Sequence, residues 1–408
     1  MRIALCHEWT TAYGGSEQVA GRLARILDVR DVFTFAARPD LAEAVFPGRR
    51  VHVPSVGRTW LAERHWPLLL PLMPKAWSRL DLSSYDVVVT SAHACVNAVQ
   101  VRPDAVHISY CHTPMRYAWD WRLELGRVPA PLRPIWPGIA RALRRADRRW
   151  ARRVTAFIAN SYHVAGRIRS CYGREASVVH PPVDTGFFSP DPTVRREGFF
   201  VFAGRLVPYK RADIALEAAR RAGVRLVVAG NGPELGRLRR IAGDEATFIV
   251  SPSREVLRDL YRRCRAFLNP GVEDFGMTMV EAQACGAPVI ALGKGGALEI
   301  VVNGRTGWLY GQGSAEDLAE VLEGFEPTAF DVEEIRANAE RFSTDRFDQG
   351  IRGVIDALLA RRDHRIQQPC RVDVAKRLGS DVATVPDHPQ PLPASARYTS
   401  SSPSRAPS

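Results

Sequence analysis

Short apolar runs, separated by longer amphipathic segments, recur along the first half of the chain. They predict buried strands at residues 2–7, 32–36, 51–54, 86–91, 106–111 and 155–160. A last strand and a hinge are expected within residues 178–184. Strands that alternate with helices in this way are typical of an open parallel sheet with helices on its faces. The pattern therefore predicts a first α/β domain over residues 1–184.

The same alternation begins again after residue 185. It predicts strands at 199–203, 225–229, 246–250, 266–270, 288–291 and 307–310, and helices at 254–265, 277–285 and 314–324. A second α/β domain is therefore expected over residues 185–343, followed by a helix at 344–365. Residues 366–408 are rich in Pro, Ser and Ala and have no periodicity, which predicts a disordered tail.

Two glutamates flank the start of one predicted helix in the segment PGVEDFGMTMVEAQACG, residues 270–286. Glu273 lies in the loop after a buried strand, and Glu281 lies about one turn inside the helix. The amides of Gly276, Met277 and Thr278 open this helix, and a helix N-terminus favours an anion. The order of groups suits a sugar, its phosphates and a ribose. A capped helix with two solvated acids is the alternative.

Two further loops carry residues that suit a phosphate. Arg205 and Lys210 lie between a strand and a helix, where arginine can bind a diphosphate as a fork and lysine as a point charge. Gly14 and Gly15 follow the first strand, and a glycine loop there lets a phosphate approach the backbone. Ser16 is the expected N-cap of the helix that continues to residue 27. Taken alone, the residues of the first loop favour an ordinary surface loop. The alternative for the two glycines is a tight turn.

His112 lies at the C-terminal edge of the strand predicted at residues 106–111, just before a Thr-Pro turn. Ligands of open α/β sheets bind at this carboxyl edge. A lone histidine at such a position is either a group that faces the ligand or a structural one. The residue pattern by itself leaves both interpretations open.

Composition restricts the class of protein. A chain of 408 residues with 46% hydrophobic residues can bury two cores, and it contains no run of about 18 apolar residues that would predict a transmembrane helix. It begins with a strand, without the apolar region of a signal peptide. The seven cysteines form no CxxC pair, which argues against zinc and for a reducing cytoplasm. No metal and no cofactor are expected.

Positive charge is concentrated in the first half. Residues 1–185 carry 26 Lys/Arg against 15 Asp/Glu, whereas residues 186–365 carry 25 against 26. This excess suggests an anionic partner, namely a membrane surface, a lipid phosphate or nucleic acid. The seven arginines of 141–153 predict an amphipathic helix whose basic face is either solvated or laid on anionic lipid. The Trp/Leu/Pro-rich segment 60–77 is either a packed irregular segment or a loop that touches a membrane.

The segment with the two glutamates resembles the glutamate motif of the retaining nucleotide-sugar glycosyltransferases of family 4, which have the GT-B architecture. HTPMRYAWD, residues 112–120, is similar to a subgroup that includes bacterial mannosyltransferases of surface-polysaccharide assembly. The resemblance covers about residues 1–360. It implies two facing Rossmann-like domains with a cleft between them, and a final helix at 344–365 that crosses back onto the first domain. The turn VSPS at 250–253 departs from the family's glycine-containing turn, so no nucleobase contact is expected from the resemblance there.

From this resemblance we expect a retaining transferase that moves a hexosyl group, in the first instance mannosyl from GDP-mannose, to a glycan or lipid-linked acceptor. The donor diphosphate would bind Arg205, Lys210 and the amides of 276–278, and the ribose would bind Glu281. His112 and Glu273 are the expected catalytic residues. We expect a cytoplasmic protein, with peripheral contact to the inner face of the membrane left open. A nucleotide-sugar epimerase of the same architecture and a basic nucleic-acid-binding protein remain the alternatives.

Overall fold

The computed structural model describes residues 1–59, 69–124, 128, 131 and 133–367. Within these residues the first half forms a seven-stranded parallel sheet in the order β3-β2-β1-β4-β5-β6-β7. Its strands are β1 (Ile3–His7), β2 (Asp31–Thr34), β3 (Arg50–His52), β4 (Val87–Ala92), β5 (Val106–Cys111), β6 (Ala156–Ala159) and β7 (Ala176–Val178). The central strands β4 and β5 are buried at every position, as expected for a sheet that is covered on both faces.

Helices in the described part of this half follow the strands in the predicted alternation. They are α1 (Gly15–Ile26), α2 (Pro39–Val45), α3 (Met73–Ser78), α4 (Arg116–Trp119), α5 (Trp121–Glu124), α6 (Trp136–Ala151) and α7 (Tyr162–Tyr172). Helix α7 has a clear local cause, because the Ser161 hydroxyl accepts a hydrogen bond from the Val164 amide and Gly173 ends the helix at φ 66°.

The second half contains a six-stranded parallel sheet in the order β10-β9-β8-β11-β12-β13, counted within the described residues. Its strands are β8 (Phe199–Ala203), β9 (Arg225–Ala229), β10 (Ala246–Ile249), β11 (Phe267–Asn269), β12 (Val289–Leu292) and β13 (Gly307–Tyr310). Its helices are α8 (Ala212–Ala222), α9 (Leu235–Ile241), α10 (Arg254–Arg263), α11 (Met277–Ala284), α12 (Ala297–Ile300), α13 (Ala315–Glu323) and α14 (Val332–Glu340). The chain therefore has the α/β fold with two Rossmann-like domains that its hydrophobic pattern predicts.

The chain separates into two compact units, residues 1–355 and residues 356–408. Both sheets belong to the first unit, and helix α15 (Thr344–Gln367) begins within it. In the first unit, Arg22 donates to the Asp348 carboxylate at 2.7 Å, and the rings of Phe347 and Tyr110 are 5.9 Å apart. The start of α15 therefore contacts the first domain. In the second unit the described residues 356–367 are helical, and most of the expected disordered tail, residues 368–408, lies outside the described residues.

Three local expectations differ from the structure. Helix α1 begins at Gly15, so Ser16 is not its N-cap; the Ser16 hydroxyl donates instead to Oε2 of Glu17 at 3.0 Å. The strand expected to begin at residue 178 is the three-residue β7, which ends there. Helices α2 and α14 were not predicted, because short, charge-rich segments give little apolar periodicity.

The segment 60–77, for which a membrane-touching loop is one alternative, is packed in part of its length. Residues 60–68 lie outside the described residues, but Leu69, Leu70, Met73 and Trp77 are buried in the core of the first domain. These four side chains fit the packed alternative, whereas Leu72 between them is 49% exposed. Across the described residues, no helix combines the length and the apolar character that a membrane span requires.

Candidate active site

The loop from β11 to α11 holds Glu273 beside a buried cation. Nζ of Lys210 lies 2.6 Å from Oε1 of Glu273, and both side chains are largely shielded from solvent. The amide of Gly296 donates a hydrogen bond to the Glu273 carbonyl at 2.9 Å and so holds the backbone of this loop in place. Gly276 ends the loop at φ +105°, a conformation that favours glycine, and α11 starts at the next residue. Met277 and Thr278 thus open the helix as predicted, with their amides at its N-terminus.

Lys210 reaches Glu273 because two loops pack closely together. β8 ends at Ala203. A Cβ atom on the next residue, Gly204, would lie 3.2 Å from Nζ of Lys210, and a Cβ atom on Gly271 would lie 2.5 Å from the Tyr209 carbonyl oxygen. Larger side chains at either glycine would separate the loops. Arg205 lies in the first of these loops and is exposed. Its carbonyl accepts a hydrogen bond from the Val207 amide at 3.0 Å, but its guanidinium forms no ion pair or hydrogen bond with any of the described residues.

Glu281 lies in the second turn of α11 and is buried. Burial raises the pKa of its carboxyl group to about 7, and Arg254 and the hydroxyl of Tyr261 act in the opposite direction. The Tyr261 hydroxyl donates to Oε2 of Glu281 over 3.5 Å, which is long for a hydrogen bond. The carboxylate therefore retains much of its capacity to accept hydrogen bonds from a ligand.

On the first domain, His112 follows β5 at the carboxyl edge of the sheet. Its ring is half-buried, with Nε2 2.8 Å from the hydroxyl oxygen of Ser91. Burial lowers the pKa of His112 to about 3, so the imidazole is neutral at physiological pH. Its backbone carbonyl accepts a hydrogen bond from the side-chain amide of Asn160 at 3.0 Å.

Residues next to His112 and Glu273 join the two domains. Asp274 accepts hydrogen bonds from the hydroxyl of Thr113 at 3.3 Å and from Arg167 at 3.0 Å, and it also pairs with Arg116. The Arg116 guanidinium lies 4.4 Å from the centre of the Tyr209 ring, so it contacts both loops of the second domain. His112 and Glu273 therefore lie on either side of a single junction.

The glycine loop of the first domain also meets the second domain. A Cβ atom on Gly15 would lie 2.9 Å from Sδ of Met277, and one on Gly14 would lie 3.1 Å from Oε2 of Glu17. The loop thus comes against the start of α11, where the phosphate site is predicted. The roles of these residues in binding a ligand stay predictions.

Sequence reasoning did not single out Asp274, Arg116, Arg167 or Glu299. Glu299 accepts hydrogen bonds from the amides of Tyr162 and His163, both at 2.9 Å, and lies 3.0 Å from Nε2 of His180. Asp274 and Arg116 stand inside the motifs EDFG and HTPMRYAWD, so a signal was present. Their pairing was not visible, because it joins positions 158 residues apart.

On the second domain the site has a buried Lys–Glu pair, an exposed arginine and a helix N-terminus. On the first domain it has a neutral histidine at the carboxyl edge of the sheet. This fold and these groups define a GT-B glycosyltransferase. The family described as "Glycosyltransferase Family 4" matches residues 13–187, and the family described as "Glycosyl transferases group 1" matches residues 188–341. The chain is 31% identical over 409 aligned residues to a D-inositol 3-phosphate glycosyltransferase of Acidothermus cellulolyticus, covering 89% of this chain and 88% of that one. It belongs to glycosyltransferase family 4.

A second relative and two solved structures extend the comparison. A GDP-mannose-dependent α-(1-6)-phosphatidylinositol monomannoside mannosyltransferase of Mycobacterium tuberculosis is 34% identical over 192 residues, 40% of this chain and 50% of that protein. Anabaena Alr3699/HepE in complex with UDP and glucose has a TM-score of 0.65 at 20% identity, covering 88% of this chain and 100% of that one. Sucrose-phosphate synthase of Thermosynechococcus elongatus has a TM-score of 0.66 at 17% identity over the same shares. These structures share the fold.

Proposed function

We propose that this enzyme is a retaining hexosyltransferase that moves a mannosyl group from GDP-mannose to a hydroxyl group of a glycan or lipid-linked acceptor. The observation that carries the proposal is the Lys210–Glu273 pair, in which a cation that suits a phosphate lies beside a carboxylate that suits sugar hydroxyls. The name of the M. tuberculosis relative favours GDP-mannose, and both curated relatives are named for acceptors that contain inositol and phosphate. Family membership gives no support to an epimerase or a nucleic-acid-binding protein.

The leaving group in this reaction is a nucleoside diphosphate, and its developing charge must be stabilised. Burial lowers the pKa of Lys210, but Glu273 and Tyr209 raise it by more. The net pKa therefore lies above the ordinary lysine value, and the side chain stays a cation. We assign Lys210, Arg205 and the amides of Met277 and Thr278 to the diphosphate, because fixed cations and oriented amides stabilise such charge. The proposal requires no metal and no cofactor.

The remaining groups would hold the two ends of the donor. Glu273 would accept hydrogen bonds from sugar hydroxyls and Glu281 from the ribose. His112 would contact the sugar from the first domain. The described site offers no side chain that we assign as a covalent nucleophile, so we favour attack by the acceptor on the face that the diphosphate leaves, with a phosphate oxygen taking the acceptor proton.

Binding measurements test the donor, and product analysis tests the stereochemistry. Thermal shift and calorimetry with GDP, UDP, ADP and their mannosyl or glucosyl derivatives should give the largest stabilisation with GDP-mannose, because a ligand that binds only the folded state raises Tm. NMR of the transferred or hydrolysed sugar should show α-mannose as the first product. Preference for another nucleotide would overturn the donor assignment, and β-mannose would overturn retention.

We also propose that the first domain contacts anionic membrane, which would bring the enzyme to a lipid-linked acceptor. The supporting observation is the outer side of α6. Arg141, Arg145, Arg149 and Arg152 are exposed, and at 100° per residue they fall within one narrow stripe. This proposal places the protein at the cytoplasmic face of a membrane, where acidic lipids attract such a stripe.

A further inference from the structure

Four polar side chains follow one another from buried Glu17 to half-buried His112. Oγ of Ser91 lies 2.8 Å from Nε2 of His112 and 3.0 Å from Nδ1 of His7. Nε2 of His7 in turn lies 3.5 Å from Oε1 of Glu17. His7 and Ser91 are fully buried and Glu17 is 5% exposed. This row of side chains therefore runs from Glu17 in the first turn of α1, through β1 and β4, to the edge of β5.

Glu17 gives this chain a direction. It lies in the first turn of α1, where the Ser16 hydroxyl donates to Oε2 at 3.0 Å, so Oε1 is the oxygen that faces His7. A carboxylate can only accept hydrogen bonds, and a bare ring nitrogen facing it at 3.5 Å would be repelled. The Nε2 atom of His7 is therefore the one that carries hydrogen.

When both imidazoles are neutral, the hydrogen on Nε2 of His7 determines where the hydrogens of Ser91 and His112 lie. His7 then has a bare Nδ1, so the Ser91 hydroxyl donates to it. The Ser91 oxygen in turn accepts from Nε2–H of His112, and Nδ1 of His112 is left without hydrogen. The pKa of His112, lowered by burial to about 3, agrees with a neutral ring, as does that of neighbouring His93, which burial also lowers. Nothing in the described residues hydrogen-bonds Nδ1 of His112.

We propose that Ser91, His7 and Glu17 are positioning residues that fix the tautomer of His112, so that its Nδ1 accepts a hydrogen bond from a hydroxyl group of the donor sugar. The proposal rests on the proposed function for the part played by the sugar. The tautomer itself does not depend on it. In the opposite tautomer, Nδ1–H would donate to the sugar hydroxyl instead of accepting from it. Ser91, His7 and Glu17 thus set the direction of the hydrogen bond between His112 and the sugar.

The tautomer can be read directly by NMR of the full-length protein with ¹⁵N-labelled imidazole rings, because protonated and bare ring nitrogens give separate signals. The His112→Asn variant identifies the resonances of His112. At about pH 8, above the ordinary histidine pKa of about 6.5, we expect Nε2 to be protonated and Nδ1 bare. Ser91→Ala should convert the His112 signals to those of a mixture of tautomers. Ser109→Ala is the matched control, because Ser109 is equally buried on the neighbouring strand and its hydroxyl has no hydrogen-bond partner among the described residues.

Kinetics test the link to the reaction. With GDP-mannose as the probe, Ser91→Ala should lower kcat at least tenfold while the Kd for GDP stays within twofold of wild type, and Ser109→Ala should change neither. A protonated Nδ1 in the wild type, or unchanged His112 signals in Ser91→Ala, would overturn the proposal. If the tautomer is as expected but GDP-mannose is neither bound nor turned over, the donor assignment fails instead and the tautomer stands.

Discussion

Lys210 and Glu273 neutralise each other in the free protein, whereas Arg205 is exposed. Replacing Lys210 by Met leaves the Glu273 carboxylate buried without its cation, and breaking such a pair costs about 3–5 kcal/mol. We therefore expect Lys210→Met to lower both stability and turnover, and the double variant Lys210→Met/Glu273→Gln to regain stability without regaining turnover. Arg205→Ala should leave Tm unchanged and weaken GDP binding. Chemical denaturation and calorimetry measure these effects, and a stable, active Lys210→Met variant would contradict the diphosphate assignment.

The carboxyl group of Glu281 gives nucleotide binding a pH dependence. Its pKa is raised to about 7, so in the free enzyme its contribution to stability is full below the ordinary value near 4.5 and is lost as pH rises through 7. Ribose hydroxyls prefer the carboxylate, so GDP should bind more tightly as pH rises from 6 to 8. Glu281→Gln should lose this part of the dependence. Because the GDP phosphate also titrates at a pKa of about 6, the difference between the two proteins is the quantity to measure by calorimetry. Identical pH profiles would rule out contact with Glu281.

At the scale of elements, the arginines of α6 separate into two groups. Nε of Arg144 donates to the Ala118 carbonyl at 2.8 Å and Nε of Arg148 to the Cys171 carbonyl at 2.9 Å, and both guanidinium groups lie near the Trp119 ring. A fully solvated basic face is therefore wrong for these two. The helix is also fixed by buried Asp147, which accepts from the indole of Trp119 at 2.7 Å.

This division leads to a specific membrane experiment. Each basic residue near an acidic surface contributes about 1 kcal/mol, so replacing Arg141, Arg145, Arg149 and Arg152 by Gln should release the protein from acidic vesicles. Co-sedimentation with acidic and neutral vesicles, at low and high salt, measures the effect. The control variant replaces four exposed arginines of the second domain, which keeps net charge equal: Arg220, Arg221, Arg239 and Arg240. Equal loss in both variants would indicate a net-charge effect, and no binding by wild type would refute the proposal.

The sequence predicts the strands and the positions of the site loops, but it does not predict which residues of different loops meet. Strands β9 and β13 match the expected bounds, because their apolar runs end at glycine turns. The loop that carries Glu273 was also predictable, since a buried strand, a glycine and a short helix occur within one stretch. The partner of Glu273 was not, because Lys210 comes from a loop 63 positions earlier and meets it only through sheet order and close glycine packing.

At the scale of the whole molecule, one carboxylate carries much of the contact between the two domains. Asp274 belongs to the second domain, and its partners Thr113, Arg116 and Arg167 belong to the first. Although burial raises the pKa of Asp274, the two arginines lower it more, so it is ionised. The proposed donor ligands Arg205, Lys210, Glu273 and Glu281 all lie in the second domain, whereas His112 lies in the first. The junction therefore decides whether the donor and His112 meet.

Asp274→Asn should leave donor binding to the second domain intact while it disturbs the meeting of the donor with His112. It removes the charge that pairs with Arg116 and Arg167, and truncating one partner of a desolvated pair costs about 2–5 kcal/mol. We expect a larger radius of gyration in solution scattering and at least a tenfold lower kcat, with the Kd for GDP nearly unchanged because the nucleotide site is on the second domain. Asp120→Asn is the control: it also removes a partner of Arg167, but both residues lie in the first domain. If Asp120→Asn opens and slows the enzyme as much as Asp274→Asn, the loss of an ion pair within the first domain accounts for the effect and Asp274 does not hold the domains together.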